Sequence, residues 1–220
     1  KGIAPCYSDK YKRGGIQAKA IPYFETYLWD EVLEGNILCE GAQGFWLDIN
    51  HGNYPYVTSS ITLPYGACSL GFPPQKIRKI YGAVKIYDTR SGIDPDFPEY
   101  LLDDPDLDRI IDSGQEYGTT TGRKRKVNWL NIDRLITAIN ISGTTDLIIS
   151  KIDVLEKVNQ FKLFHNDKLI TFNNISIMLE YIRKTLNEKC STLLKEIRFS
   201  NNPYTIDNID TNTNNSNLEI

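Results

Sequence analysis

The pattern of apolar and polar positions in the first half of the 220-residue chain predicts alternating helices and strands. Apolar residues recur at helical spacing over 20–35, which predicts an amphipathic helix that ends at Gly35. The short run NILCE that follows predicts a buried strand. KIYGAVKIYDTR predicts a second strand and LDRIIDSG a short helix. Another helix is expected to begin at Asn131, a residue type suited to the N-cap.

The second half of the chain continues this alternation. The unbroken apolar run at 147–149, within TTDLIISKIDVL, is typical of a strand buried on both faces of a parallel sheet. QFKLFHNDKLITF predicts a β-hairpin that turns at Asn166 and Asp167. A helix is expected over 175–189, and LLKEIRF predicts a final strand.

This order predicts an α/β fold with a mostly parallel central sheet flanked by helices, a β-hairpin and long functional loops. We expect one domain over 1–206, because a chain that is 40% hydrophobic can bury a sizeable core. The remaining residues, 207–220, are rich in Asn and Thr and poor in apolar side chains, so we expect them to be disordered.

Charge and cysteine content narrow the classes of partner. The net charge of −3 gives no general attraction to nucleic acid or to an acidic membrane. No apolar run has the length of a membrane span, and the amino-terminal residues lack the apolar core of a signal peptide. The four cysteines lie far apart, without zinc-site spacing, which indicates reduced thiols. We therefore expect a soluble cytoplasmic protein with no nucleic-acid or membrane partner.

A hydroxyl- and glycine-rich run at 118–122, GTTTG, stands directly before the cations of 123–126. Hydroxyl groups, free backbone N–H groups and guanidinium forks together suit a carboxylate or phosphate. The alternative is a solvated basic loop. The GTTTG run favours a loop that receives a small anion.

Three further loops carry candidate binding residues. SKID at 150–153, after the predicted buried strand, is similar to the guanine-reading motif of GTP-binding proteins, although a surface ion pair is the alternative. In EGAQG, the amide of Gln43 can read a heteroatom of a base, or the segment is a simple turn. In the long loop at 48–60, the hydroxyls at 58–60 can donate to a phosphate or form turns. His51 is more often a structural residue than a catalyst.

Five segments in register resemble the adenylosuccinate synthetase family: KGIAPCYSDKYKRGG, LCEGAQGFWLDINHGNYPYVTSS, KIYDTRSGIDPDFPEY, EYGTTTGRKRKVNWLN and SKIDVL. The resemblance covers most of 1–165. It implies a GTP-dependent ligase of purine biosynthesis that joins L-aspartate to inosine monophosphate (IMP), with Mg²⁺ and a homodimeric assembly. It also implies that IMP is first phosphorylated on the oxygen at position 6 and that the aspartate amine then displaces the phosphate.

The resemblance also implies roles for individual residues. Gln43 would contact the hypoxanthine near the reacting oxygen, and Arg13 would cross a dimer interface to the partner's nucleotide phosphate. The implied sites are IMP contacts at Arg13, Gln43, Thr58 and Arg123, aspartate contacts at Thr119, Thr120, Thr121, Gly122, Arg123 and Arg125, and GTP contacts at Arg125, Lys151, Asp153, Ser200 and Asn202.

Some family features are absent from this sequence. It has no run of the form GDEGKGK, so the principal catalytic aspartate and histidine and the magnesium ligands are expected in a part of the family's sequence that this chain lacks. Asn202 stands where a glycine is expected against guanine. Three interpretations remain open: part of a synthetase, a viral-type relative that forms 2-aminoadenylosuccinate from dGMP, and a non-catalytic remnant that binds nucleotide or dimerises.

Overall fold

The structure is a computed structural model, and it describes residues 2–29, 31–118 and 122–206. Its internal contacts divide the chain into two units, 1–76 and 77–220. This division does not decide whether 1–206 forms the single domain expected from the sequence, and that expectation stays a prediction. The tail expected to be disordered, 207–220, lies outside the described residues. None of the helices in the described part of the chain has the length and apolar character that a membrane crossing requires.

The second unit contains seven strands and four α-helices among its described residues. The strands are β1 (Tyr81–Lys85), β2 (Tyr87–Arg90), β3 (Lys126–Asn131), β4 (Asp146–Ser150), β5 (Lys162–His165), β6 (Lys168–Thr171) and β7 (Glu196–Phe199). The helices are α2 (Pro105–Gly114), α3 (Ile132–Ser142), α4 (Ile152–Val158) and α5 (Ile175–Cys190), with a 3₁₀ turn at Glu99–Asp103.

The strands form two sheets. The three-stranded sheet has the order β1-β4-β7 and is parallel throughout. The four-stranded sheet has the order β2-β3-β5-β6, in which β3 and β5 are parallel and the outer pairs are antiparallel. Helix α2 contacts α4 and β3, whereas α3 contacts α5 and β5. This architecture confirms the predicted α/β class.

Strand β4 is the central strand of the parallel sheet, as its apolar run predicted. Leu147 and Ile149 are 2% and 0% exposed, and β1 and β7 lie on either side of the strand. Strands in this position are buried on both faces, which explains the continuous apolar sequence. The chain passes directly from β4 into α4, so the segment TTDLIISKIDVL is a strand followed by a short helix.

Local sequence signals fix the ends of several elements. Asp104 caps α2 by accepting hydrogen bonds from the amides of Asp106 and Leu107, and Asn131 caps α3 as predicted. The hairpin between β5 and β6 turns at Asn166 and Asp167, whose φ angles of 50° and 57° are left-handed. Two left-handed residues match the type I′ turn that suits the twist of a two-residue hairpin.

The single strand predicted over KIYGAVKIYDTR is two strands. β1 pairs with β4, whereas β2 pairs with β3 in the other sheet. Ile86 lies between them, is 0% exposed and donates its amide hydrogen to Ser150 O at 2.9 Å. The chain changes sheets at this residue, and the periodicity of the sequence carries no signal for that change.

The first unit contains α1 (Ile3–Lys12) and 3₁₀ turns at Ala18–Ala20, Pro22–Tyr27, Phe45–Leu47, Pro64–Leu70 and Pro74–Lys76. The helix predicted over 20–35 and the strand predicted at NILCE were wrong, because the described residues there form only short turns and irregular chain. Tyr23 and Tyr27 are 72% and 73% exposed. Helices in proteins gain most of their stability by packing an apolar face. Tyr23 and Tyr27 belong to the apolar face of the predicted helix, and their exposure shows that this face is not packed.

We predict that Asp88→Asn stabilises the protein at pH 8 by up to about 3 kcal/mol. Burial raises the pKa of Asp88 to about 6, although the amide of Asn131 and the charge of Arg134 act in the opposite direction. Since the unfolded carboxyl has its pKa near 3.8, the native carboxylate costs stability as pH rises from about 4 to about 6. Denaturant unfolding at pH 4 and pH 8 measures this difference.

The exposed Asp103→Asn is the matched control, and it should leave stability unchanged at both pH values. A stabilisation by Asp88→Asn that is equally large at pH 4 would contradict the assignment to ionisation.

Candidate functional site

The carboxyl edge of the parallel sheet brings several predicted nucleotide-binding residues together. Lys151 and Asp153 follow β4, and Ser200 follows β7. Ser200 donates its amide hydrogen to Ile149 O at 2.9 Å, and its carbonyl accepts from Ile152 N at 3.3 Å. The two segments that were predicted to contact GTP therefore run side by side at the edge where open α/β sheets usually bind ligands.

Lys151 and Asp153 are held by different contacts. Lys151 has φ of 68°, and its Nζ donates to Gly114 O, at the end of α2, at 3.0 Å. Asp153 lies in the first turn of α4, is 31% exposed at its side chain and accepts from Lys157 Nζ at 3.0 Å. The surface ion pair that the sequence offered as the alternative is thus present. It leaves the Asp153 carboxylate accessible to a ligand.

Asn202 organises the loop that follows β7. Its Oδ1 accepts from the amides of Tyr204 and Thr205 at 2.9 and 2.8 Å, and its Nδ2 donates to Thr205 Oγ1 at 2.6 Å. Ser200 Oγ donates to the carbonyls of Asn202 and Thr205. A glycine could not make these side-chain bonds, so the residue that departs from the family pattern closes the loop on itself.

The described residues at the two ends of the predicted anion loop are hydrogen-bonded to each other, whereas Thr119, Thr120 and Thr121 lie outside the described residues. Gly122 has φ of 63° and donates its amide hydrogen to Gly118 O at 2.7 Å, and Gly118 N donates to Arg123 O at 2.8 Å.

The cations of the loop are not equivalent. Lys124 pairs with Asp108 on the exposed side. Lys126 pairs with Glu99 and donates to Phe97 O at 3.0 Å. Arg125 NH1 donates to Glu116 Oε2 at 3.1 Å. Arg125 therefore contacts the buried carboxylate of Glu116, whereas the two lysines are paired with acids elsewhere in the second unit.

Glu116 is a buried residue of this site that sequence reasoning missed. It is 2% exposed and accepts from Lys85 Nζ at 2.7 Å to each oxygen and from the Tyr87 hydroxyl at 2.8 Å. The anion-binding signal of the sequence comes from the hydroxyls of GTTTG and the cations that follow it. A single glutamate before that run belongs to no periodic pattern that would mark it as buried.

The charges of this cluster act on one another. Burial raises the pKa of Glu116, but hydrogen bonds from Lys85 and Tyr87 outweigh it and hold the pKa below its usual value. Burial lowers the pKa of Lys85, with Arg125 and Lys151 adding to that effect, although Glu116 opposes it. Both pKa values are lowered, but for different reasons: the hydrogen bonds and nearby cations outweigh burial for the acid, whereas burial outweighs Glu116 for the base. The short contacts at 2.7 Å favour an ion pair near neutral pH.

In the first unit, Asp48 closes the loop that carries Thr58. Asp48 is 0% exposed and accepts from the amides of Asn50, His51 and Thr62 at 2.9, 3.1 and 2.7 Å. Thr58 donates its amide hydrogen to Leu47 O at 2.8 Å, so its position depends on the same closure. His51 stacks on Phe45, with ring centroids 6.1 Å apart, which fits its expected structural role.

Arg13 and Gln43 are exposed residues of the first unit with left-handed backbone, at φ of 62° and 75°. Residues other than glycine, asparagine and aspartate rarely adopt this conformation, and it is more frequent at functional sites. Lys151 shares it, so three of the predicted site residues carry this local strain. The convergence of Arg13, Gln43 and Thr58 with the residues of the second unit stays a prediction.

Comparison with known proteins identifies the family. The family model for adenylosuccinate synthetase matches residues 19–184. This chain belongs to the adenylosuccinate synthetase family. The resemblance inferred from the five sequence segments is thereby confirmed.

Individual relatives within the adenylosuccinate synthetase family agree with this assignment. The synthetase of Bacteroides fragilis is 48% identical over 211 residues, which cover 74% of this chain and 49% of the relative. That of Phocaeicola vulgatus is 36% identical with the same coverage. The solved structure of the fully ligated synthetase from Plasmodium falciparum matches with a TM-score of 0.53 and 35% identity, over 61% of this chain and 33% of that one. The chain spans about half the length of the curated relatives it matches.

We expect Asp48→Asn to loosen the 48–62 loop, because an amide would present its own donor to backbone N–H groups. The amides of His51 and Thr62 should exchange with solvent at least tenfold faster, as losing hydrogen bonds to a buried carboxylate costs about 1.5–3 kcal/mol. Hydrogen exchange followed by NMR measures the change.

Asp9→Asn, at an exposed position of α1, is the control for loss of one negative charge. Unchanged protection of Thr62 in Asp48→Asn would show that the carboxylate does not close the loop.

Proposed function

We propose that this protein is part of an adenylosuccinate synthetase, a ligase of purine biosynthesis that uses GTP to join L-aspartate to IMP. The match of the family model over 19–184 carries the proposal. Two observations support it: Lys151 and Asp153 follow the carboxyl end of β4, and Arg125 and Lys151 are each held by a hydrogen bond, as phosphate and carboxylate groups need cations in fixed positions.

The chemistry converts a poor leaving group into a good one. The oxygen at position 6 of IMP attacks the γ-phosphorus of GTP, GDP leaves, and the aspartate amine then displaces the phosphate from the base. Catalysis of both steps consists largely of positioning the reactants and of stabilising negative charge. In this chain Gln43 would support the first step through its amide, next to the reacting oxygen.

The binding roles are those that the resemblance to the family implies. Lys151 and Asp153 would read the guanine of GTP, and Ser200 and Asn202 would lie against it. The loop at 119–123 and Arg125 would hold the carboxylates of L-aspartate, Arg123 would also lie near the ribose, and Arg125 would also lie near GTP. Thr58 would bind the 5′-phosphate of IMP.

The family's use of Mg²⁺ requires ligands that we do not assign here. Within 2–29, 31–118 and 122–206, no group of three or more His, Cys, Asp or Glu side chains is arranged to hold a metal ion. The described residues alone therefore do not make up a magnesium site.

We also propose a cytoplasmic homodimer. Arg13 stands exposed directly after α1, and on the preceding turns the exposed Tyr11 stacks on the partly buried Tyr7. An exposed arginine beside aromatic rings suits contact with a second copy and with the nucleotide phosphate bound there.

Calorimetric titration of the purified chain tests the substrate class. Binding of GTP and IMP, with dGMP bound at least tenfold more weakly, supports the proposal. Preference for dGMP over IMP would favour the 2-aminoadenylosuccinate alternative. Absence of binding to all three nucleotides would favour a non-catalytic remnant.

We predict that Asp153→Asn weakens GTP about ten- to hundredfold and leaves IMP affinity unchanged, because a carboxylate that accepts two hydrogen bonds from guanine contributes about 1.5–3 kcal/mol. The asparagine should in turn favour xanthosine triphosphate, whose carbonyl replaces the exocyclic amine. Titration of each variant with the three nucleotides measures the change.

Lys157→Gln is the control, because it removes the ion-pair partner of Asp153 and keeps the carboxylate. It should not weaken GTP. Equal losses of GTP and IMP affinity in Asp153→Asn would refute the guanine assignment.

A further inference from the structure

Glu116 and Arg125 face each other at the two ends of the anion loop. Arg125 N donates to Glu116 O at 2.9 Å, and the side chains of the same two residues are paired at 3.1 Å. One residue further in, Tyr117 and Lys124 form an antiparallel bridge. The loop therefore leaves the body of the protein through a base that is closed by both main chain and side chain.

The carboxylate of Glu116 also fixes this base to both sheets. Lys85 is the last residue of β1, in the parallel sheet, and Tyr87 is the first residue of β2, in the other sheet. Both donate to Glu116 at 2.7–2.8 Å. Its two oxygens are thus bound from several directions, which leaves the carboxylate little freedom to turn.

Three cations gather at this point, namely Lys85, Arg125 and Lys151. Lys85 and Arg125 contact Glu116 directly, and Lys151 donates to the carbonyl of Gly114, two residues before it. Without the Glu116 charge these cations would repel one another in a partly dry environment. An arginine bound on one edge by a fixed carboxylate still has further N–H donors for a second anion, because guanidinium carries five.

We propose that Glu116 is a positioning residue: it orients the Arg125 guanidinium, and with it the base of the loop, to receive the carboxylate of the acid substrate. It acts through Arg125 and does not itself touch the substrate. The identity of that substrate as L-aspartate rests on the proposed function. The physical gain is pre-organisation, since a guanidinium that is already oriented loses less rotamer freedom when it binds.

The test combines three variants with two ligands. Glu116→Gln keeps the size of the side chain and removes its charge, and Glu116→Asp keeps the charge on a shorter stem. We expect Glu116→Gln to raise the Kd for L-aspartate at least about tenfold and the Kd for IMP, which has no contact assigned to Arg125, less than about twofold, because the charge-assisted bond to Arg125 is lost. Glu116→Asp should restore part of the loss.

Asp108→Asn is the matched control. It removes a carboxylate from Lys124, a cation of the same loop, but on the exposed side. Exposed pairs contribute little, so aspartate and IMP affinities should both stay at the wild-type values. Equal losses of both ligands in Glu116→Gln, together with a lower melting temperature, would indicate a purely structural residue and would overturn the proposal.

A second measurement does not depend on ligand binding. The Arg125 Nη–Hη NMR signal, assigned with Arg125→Lys, should be slow to exchange in the wild type, where one Nη donates to Glu116, and broadened or shifted in Glu116→Gln. An unchanged signal overturns the positioning role. If the wild type fails to bind L-aspartate while the signal responds to the substitution, the aspartate site of the proposed function is wrong and the positioning of Arg125 stands.

Discussion

A buried carboxylate, Glu116, ties together the parts of the second unit that the candidate site depends on. It joins Lys85 at the end of one sheet, Tyr87 at the start of a strand in the other, and Arg125 at the foot of the anion loop. Burying such charges is costly unless the geometry is good and every oxygen is bonded. That condition is met here, so the position of the loop's base, at Glu116 and Arg125, is a consequence of the sheet structure.

A buried carboxylate also organises a loop in the first unit. Asp48 is fully buried and gathers three backbone amides, so the long loop that carries Thr58 closes around one carboxylate. Gly52 lies against this closure, where a Cβ would meet Trp46 O at 2.5 Å and Asp48 O at 2.7 Å. Long loops lack the regular ladders that satisfy backbone groups, so a buried acid that accepts several N–H groups is an efficient way to order them.

Three of the predicted site residues have a strained backbone conformation. Arg13, Gln43 and Lys151 all have left-handed backbone, although none is a residue type that favours it. Lys151 is compensated by its bond to Gly114 O, and the following helix starts one residue later. Backbone strain of this kind persists where surrounding contacts hold it in place, and it is frequent at functional sites.

The sequence by itself determined the family, the α/β class and the elements whose signals are local: the buried strand β4, the capped helices α2 and α3, and the turn at Asn166 and Asp167. These are decided by burial pattern, capping and turn chemistry within a few residues. Only the tertiary structure decided the break at Ile86, the loss of the helix expected before Gly35, and the roles of Glu116 and Asp48. Each of these depends on partners distant in sequence, such as β3, Lys85 and Thr62, and periodicity within one segment carries no information about them.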